Sequence, residues 1–137
     1  DTWNAIGLHH SETFADDLNR LGLDGVFFRP VIFEPTFHKH AKRTCGGCQI
    51  HVLNRDAFQP VLTGVALTAA FFEADPQFSW RQPPYEYEHV KLPIDILCGT
   101  DAIRRAIERG TPLPAIERAW QRDLARWKRL RASYLRY

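Results

Sequence analysis

The chain has 137 residues, of which 45% are hydrophobic and 25% are charged, and its formal net charge is +2. These values are typical of one soluble globular domain with a genuine core, and they exclude a strongly basic or acidic protein. The sequence has no apolar run of about 18 residues that would span a membrane, and its three cysteines are too few for a disulfide framework. It lacks an initiating Met and a signal peptide, so we expect a mature or excised piece of a longer protein.

The chain begins with a predicted helix and a predicted strand. Ser11 is a suitable N-cap, and it is followed by apolar residues at helical spacing: Phe14, Leu18 and Leu21. β-Branched and aromatic residues then predict a strand from Val26 to about Phe33. Pro30 cannot donate to a β-ladder, so this strand is expected at a sheet edge or with a bulge.

A second strand and a second helix are predicted next. In the strand, at 48–54, Gln49 and His51 would face the same side of the sheet. The helix would begin near Pro60, and its inward stripe would be Val61, Val65, Leu67 or Thr68, and Phe72. Gly64 lies inside this helix, which predicts close packing against another element or a ligand.

The last third of the chain predicts a loop and two helices. Residues 76–93 are rich in proline and are expected to form a long ordered loop or arm. A short helix is expected between Thr100 and Gly110, and a last helix from Pro114 with an apolar stripe: Ile116, Trp120, Leu124, Trp127 and Tyr134. The predicted fold class is α+β, a small mainly antiparallel sheet packed with about four helices in a single domain, 1–137.

The end of the chain is locally basic, with Asp123 the only acid among these cations: Arg118, Arg122, Arg126, Lys128, Arg129, Arg131 and Arg136. Such a run is typical of the solvated face of a helix, and we predict no nucleic-acid partner. The alternative is a stand-alone binding module for an anionic polymer.

The stretch "HKHAKRTCGGCQIHV", His38 to Val52, allows two interpretations. Its histidines and cysteines could form a small zinc or thiol module at residues 38–48. However, the neighbouring Lys and Arg residues would repel a cation, and Cys48 leads into a strand rather than a helix. We therefore favour a turn or bulge at Gly46 and Gly47, with Cys45 and Cys48 as small packing residues and no metal or cofactor.

The segment "PPYEYEHVKLPIDIL" combines aromatic residues with carboxylates. If residues 85–88 were extended, the two tyrosines would share one face and the two glutamates the other, which suits a carbohydrate surface. The alternative is a solvated acidic face with the tyrosines packed inward. Arg29 is unusual in an apolar strand, and we expect it to meet a carboxylate of a partner such as Glu34, Glu86 or Glu88, or of a ligand. Asp95 is interpreted as a capping or fold-holding acid.

Four stretches of the sequence together resemble one bacterial enzyme family. They are "GVFFRPVIFEPTFHKH", "CGGCQIHVLNRDAFQPVLTGVAL", "PPYEYEHVKLPIDILCGTDAIRRAIERG" and "RASYLRY". From about Asn19 to Tyr137 the chain is similar to the C-terminal domain of NamZ-type exo-β-N-acetylmuramidases, a glycoside hydrolase family formerly described as a domain of unknown function. Members of this family often carry an apolar residue in place of Cys48, which argues further against a zinc or thiol site.

The resemblance implies a secreted or periplasmic enzyme that removes terminal N-acetylmuramic acid from peptidoglycan fragments. Its Rossmann-like N-terminal domain, which this sequence lacks, would carry the principal catalytic carboxylate, so the domain alone would be inactive. The implied partners are that missing domain and muramic-acid-containing fragments. The resemblance implies these cleft residues: Arg29, Thr36, His51, Tyr85 and Tyr87 for substrate binding, with Glu86 and Glu88 as assisting catalytic carboxylates.

Overall fold

The computed structural model describes residues 11–37 and 40–136. These residues form five helices and one two-stranded antiparallel sheet. In chain order the elements are α1 Ser11–Arg20, β1 Val26–Phe33, β2 Cys45–Val52, α2 Pro60–Ala74, α3 Pro93–Cys98, α4 Ala102–Glu108 and α5 Leu113–Ala132. The predicted α+β class is confirmed, and α3 is a helix that the sequence pattern did not predict.

The chain divides between Gln82 and Pro83 into two compact units. The first unit contains α1, β1, β2 and α2, and the second contains α3, α4 and α5. The prediction of a single domain over 1–137 stays a prediction. Within the described ranges no helix is long and apolar enough to cross a bilayer.

The core of the first unit lies between α1 and the sheet. Phe14, Ala15, Leu18 and Phe28 form a buried cluster, and partly buried residues of both strands, of α2 and of the loop after α1 pack against it. Burial of a large apolar side chain such as Phe28, which is 1% exposed, contributes about 1.5–3 kcal/mol. The predicted stripe of α1 is therefore confirmed at Phe14 and Leu18, whereas Leu21 follows the helix end and is exposed.

The side chain of Asn19 ties α1 to β1. Its Nδ2 donates to the carbonyl of Phe28 at 2.8 Å, and its Oδ1 accepts from the N–H of Phe28 at 2.9 Å. Backbone groups alternate in direction along a strand, so Phe28 and Pro30 both present theirs away from β2. Pro30 therefore removes no bond from the ladder, and its predicted position at a sheet edge is confirmed.

Gly25 makes the connection that places β1 beside the loop after β2. Its φ is +71°, and its carbonyl accepts from the N–H groups of Leu53 at 2.8 Å and Asn54 at 3.2 Å. A Cβ at this position would lie 2.5 Å from the carbonyl oxygen of Asn54 and 2.8 Å from the nitrogen of Phe58. Only glycine combines this left-handed conformation with so close an approach of two backbone segments.

The predicted inward stripe of α2 is confirmed at Val65, which is buried, and is wrong at Val61. The buried residues of this helix are Leu62, Thr63, Val65 and Ala66, while Val61 is 66% exposed. A Cβ on Gly64 would meet no atom within 4 Å, so the predicted close packing at Gly64 is wrong within the described residues. Beyond the helix end, the rings of Phe78 and Trp80 meet edge to face at 4.8 Å, and both contact the ring of Phe72.

In the second unit, Arg104 of α4 links α3 to α4. Its Nε and Nη2 donate to the two carboxylate oxygens of Asp95 at 2.8 and 3.0 Å, and its Nη1 donates to Glu108 at 3.0 Å. The pKa of Arg104 is raised, chiefly by these hydrogen bonds to Asp95 and then by those to Glu108. Asp95 is therefore a fold-holding acid, as its place in "LPID" indicates.

The two last helices start and stop largely where the sequence predicts. The hydroxyl of Thr100 accepts from the N–H of Ala102 at 3.1 Å at the start of α4, and Gly110 has a φ of +64° after its end. In α5, Ile116 is buried, but most of the predicted inward stripe is not. Leu124, Trp127 and Tyr134 are exposed, so the prediction of an inward stripe along the whole of α5 is wrong within the described residues.

Candidate functional site

The predicted site residues fall into two groups, one in each unit. Arg29 and His51 lie on the two strands of the sheet, and Thr36 is exposed in the segment that follows β1. The remaining predicted residues form a tetrapeptide of the second unit, 85–88.

The sheet brings Arg29 and His51 to one face. In the ladder Arg29 lies opposite Gln49, and His51 lies opposite Phe27. Residues opposite each other share a face, and alternate residues of a strand share it too. These four side chains therefore project from the same side of the sheet, which we call the Arg29 face. That side is the reverse of the one on which Phe28 enters the core.

The guanidinium of Arg29 is held by an uncharged partner. Its Nη2 donates to Oε1 of Gln49 across the ladder, and the side chain is exposed. Among the described residues of the first unit Arg29 makes no ion pair, so the expectation of Glu34 beside it is wrong there. The alternatives Glu86, Glu88 and a ligand stay predictions. The amide of Gln49 orients the guanidinium without neutralising it, which leaves its charge and further N–H donors for an anionic ligand.

His51 carries a buried nitrogen that lacks a partner. Its Nε2 is shielded from solvent and forms no hydrogen bond with the described residues, and the same holds for Nε2 of His40 in the loop between the strands. A buried polar atom without a partner costs roughly 1–3 kcal/mol. Such atoms are rare in native proteins and call for an explanation, such as a partner that the described residues do not include.

The cysteines of the Gly-Gly stretch point to opposite sides of the sheet. Cys45 lies opposite Phe33, on the Arg29 face, whereas Cys48 lies opposite Pro30 and packs against the core cluster. Residues three apart on a strand cannot aim at one metal ion or form a disulfide without distorting it. Burial raises the pKa of the Cys48 thiol, which disfavours the reactive thiolate.

Residues Cys45–Val52 therefore form a strand, as the preferred interpretation predicts, but the strand has no turn or bulge at Gly46 and Gly47. Gly46 and Gly47 pair in regular register with Ile32 and Val31. Within the described ranges no group of three or more histidine, cysteine or acidic side chains is arranged to hold a metal. His38, the first histidine of the proposed zinc module, lies outside those ranges.

In the second unit, residues 85–88 form a tight turn, so the extended conformation considered for them is wrong. The loop predicted as one alternative for 76–93 agrees with the structure up to the start of α3. The N–H of Tyr85 donates to the carbonyl of Glu88 at 2.9 Å, and the N–H of Glu88 donates back to the carbonyl of Tyr85 at 3.0 Å. Glu86 takes a φ of +53° at the tip, a conformation that residues other than glycine rarely adopt. Tyr87 is 97% exposed, so it is not packed inward.

The carboxylate of Glu88 is fixed by the backbone that follows it. Its Oε1 accepts from the N–H of Val90 at 2.7 Å and from the N–H of Lys91 at 3.2 Å. These hydrogen bonds, the one from Val90 above all, lower the pKa of Glu88. Glu88 is therefore ionised near neutral pH and suits an acceptor of hydrogen bonds better than a proton donor.

Comparison with known proteins identifies the family. Residues 3–137 match the family described as "Exo-beta-N-acetylmuramidase NamZ, C-terminal". The chain belongs to this family. The resemblance predicted from the four sequence stretches is therefore confirmed, and the match begins before Asn19.

Two relatives place the NamZ C-terminal domain within longer proteins. The chain is 33% identical over 128 residues to the peptidoglycan β-N-acetylmuramidase NamZ of Bacillus subtilis strain 168, covering 93% of this chain and 29% of that protein. It also resembles the crystal structure of a DUF1343 family protein from Bacteroides fragilis, with a TM-score of 0.67 and 22% identity, covering 93% of this chain and 33% of that one. The second likeness supports the fold alone, and the chain spans about a third of either relative.

Sequence reasoning assigned no site role to Gln49 of this NamZ C-terminal domain, and it considered His40 only as part of a zinc module. Gln49 was predicted to share a face with His51, but its bond to Arg29 depends on the register of the ladder. His40 carries the second unpartnered buried nitrogen and has a left-handed φ of +62°. No sequence signal other than the pair of histidines in "HKH" points to it.

Proposed function

We propose that this chain is the C-terminal domain of a peptidoglycan-degrading exo-β-N-acetylmuramidase, in which it forms part of the sugar-binding cleft. The family match and the name of the Bacillus subtilis relative support this proposal. Its partners are the preceding catalytic domain of the same protein and muramic-acid-containing peptidoglycan fragments. The domain is inactive alone, and the enzyme works in the periplasm or after secretion, where peptidoglycan lies.

The observation that carries the proposal is the uncompensated cation of Arg29. N-acetylmuramic acid differs from N-acetylglucosamine by a lactyl ether, which ends in a carboxylate. A planar guanidinium binds a carboxylate through two parallel N–H···O bonds, and Gln49 holds this guanidinium from one side. Arg29 therefore recognises the group that distinguishes muramic acid from other amino sugars.

Two other predicted residues of the first unit have supporting roles. His51 offers the buried Nε2 as a hydrogen-bonding group for the sugar or for the catalytic domain, which would satisfy an atom that otherwise lacks a partner. Thr36, exposed after β1, offers a hydroxyl for the same ligand.

The turn at 85–88 supplies an aromatic ring and carboxylates. The exposed ring of Tyr87 stacks on a sugar face, and Tyr85 holds the base of the turn through its backbone. Glu88 assists catalysis as an ionised acceptor rather than as the general acid, because its two backbone hydrogen bonds lower its pKa. Glu86, exposed at the tip, is the second assisting carboxylate. The two carboxyl groups of a glycosidase flank the scissile bond, and neighbouring residues of one turn cannot do so. The principal catalytic carboxylate is therefore supplied by the catalytic domain.

The proposal is tested with two ligands that differ in one charge. In the full-length enzyme, inhibition constants are measured for N-acetylmuramic acid and for its lactyl amide. Arg29→Gln is expected to raise the constant for the acid by about ten- to a hundredfold, because a charge-assisted hydrogen bond contributes roughly 1.5–3 kcal/mol. The constant for the amide should change little.

Arg20→Gln is the matched control. It removes the same charge from the first unit, at an exposed residue of α1 whose partner is Asp17 at 2.6 Å. Neither inhibition constant should change in this variant. Equal weakening of acid and amide by Arg29→Gln, or no weakening of either, would contradict the role assigned to Arg29.

A further inference from the structure

The second half of α5 presents an apolar face that nothing in the described chain covers. Trp127 is 56% exposed and Leu130 is 53% exposed, and Leu124, Tyr134 and Leu135 are exposed as well. At 3.6 residues per turn, Trp127 and Leu130 continue the row that begins at Ile116, which is 4% exposed. One stripe of the helix is thus buried at its start and exposed at its end.

The charges of α5 decide what can cover this apolar face, which we define as Leu124, Trp127 and Leu130. The helix carries six basic residues against Glu117 and Asp123. Arg118, Arg122 and Arg129 lie on the opposite side, and Arg126 and Lys128 border the apolar face. Asp123 and Arg131 project within it, one acid and one base. The face is therefore an apolar strip with cationic edges, interrupted by one charge of each sign.

These edges favour one of three occupants. A second copy would bring the same cationic edges together, and juxtaposed like charges disfavour such an interface. An anionic polymer would neutralise the cations but leave Trp127 and Leu130 in water. An apolar groove with an acidic rim would satisfy both features.

We propose that the apolar face of α5 docks into an acid-rimmed apolar groove on the part of the parent protein that precedes this chain. The relatives contain that additional polypeptide, because the chain covers 29% of one and 33% of the other. This proposal rests on the proposed function in one respect, namely that a catalytic domain of the same polypeptide is present. It adds the surface through which that domain is held.

Photo-crosslinking in the full-length protein tests the docking directly. Trp127→p-benzoylphenylalanine keeps an aromatic side chain on the apolar face, and Arg122→p-benzoylphenylalanine places the same group on the opposite side of α5 as a control. After irradiation, mass spectrometry should find position 127 joined, within one polypeptide, to a peptide that precedes this chain. Position 122 should give that product several-fold less or not at all. Leu130→p-benzoylphenylalanine repeats the test if the first variant does not fold.

Three results would overturn the proposal. Position 127 could cross-link two copies into a dimer, it could join a peptide within the 137 residues, or it could react no more than position 122. The readout does not depend on substrate. A protein that cross-links as expected but releases no muramic acid would retain the docking surface and contradict the proposed function. A protein that releases muramic acid without the cross-link would contradict the docking alone.

Discussion

Replacing Gly25 by alanine should destabilise the first unit more than replacing Gly22, Gly47 or Gly64 by alanine. The new Cβ would stand 2.5 Å from the carbonyl oxygen of Asn54 and 2.8 Å from the nitrogen of Phe58, both of which are backbone atoms. Neither can move aside as a flexible side chain would. The segment after β2 would have to shift, and Gly25 would have to leave its φ of +71° or keep it under strain.

The magnitude follows from three contributions. A left-handed conformation costs an L-residue about 1–2 kcal/mol. A shift of the segment weakens the bonds from Leu53 and Asn54 to the Gly25 carbonyl, each contributing about 1 kcal/mol. The lower entropy of an unfolded chain with alanine offsets about 0.4–1 kcal/mol. The free energy of unfolding should therefore fall by about 3 kcal/mol.

Gly64→Ala is the matched control in the same unit. No atom lies within 4 Å of its prospective Cβ, and alanine is favoured over glycine inside a helix by about 0.5–1 kcal/mol. Denaturant unfolding followed by circular dichroism should show Gly64→Ala as stable as the parent chain or more stable, and Gly25→Ala clearly less stable. If the two variants had the same midpoint, the close approach at Gly25 would not constrain the fold and the reasoning would be refuted.

Two further predictions concern groups near the proposed site. The pKa of Glu88 is lower in the folded protein than its ordinary value of 4.5, so its stabilising effect is present above that value and is lost as the pH falls through the folded pKa. Thermal unfolding should show Glu88→Gln below the parent chain at neutral pH and equal to it in acid, and a gap that stays constant with pH would contradict this. Mild oxidation should leave no bond between Cys45 and Cys48, because they face opposite sides of β2. Peptide mapping that finds this disulfide would show that residues 45–48 do not form an extended strand.

Much of the fold follows from periodicity. The spacing of Phe14 and Leu18 predicts α1, and alternation predicts that Gln49 and His51 share a face, as the structure shows. Periodicity predicts only part of α2, namely the buried Val65, because the helix is apolar on nearly every side. Val61 and Leu62 are therefore equally plausible inward residues by sequence. Which one is buried depends on the surfaces that α2 meets.

The candidate site was harder to predict than the fold. The turn at 85–88 contains no glycine or asparagine, the residues that usually indicate a left-handed conformation. The sequence therefore does not predict the left-handed φ of Glu86 at the tip of the turn. The interaction between Arg29 and Gln49 spans 20 residues and exists only in one ladder register. The exposed end of the α5 stripe looks like core in the sequence because hydrophobic spacing does not say which surface will cover it.

The contact between Asn19 and Phe28 also bears on how this small sheet avoids polymerising. Both strands are edge strands, and an open edge is a template on which a strand of another molecule can add. On the outer edge of β1, the amide of Asn19 already occupies both backbone groups of Phe28, and two residues further on Pro30 has no N–H to offer. An incoming strand would find both backbone groups of Phe28 already hydrogen-bonded and no N–H donor at Pro30. The residues that join α1 to the sheet therefore also protect this edge against aggregation.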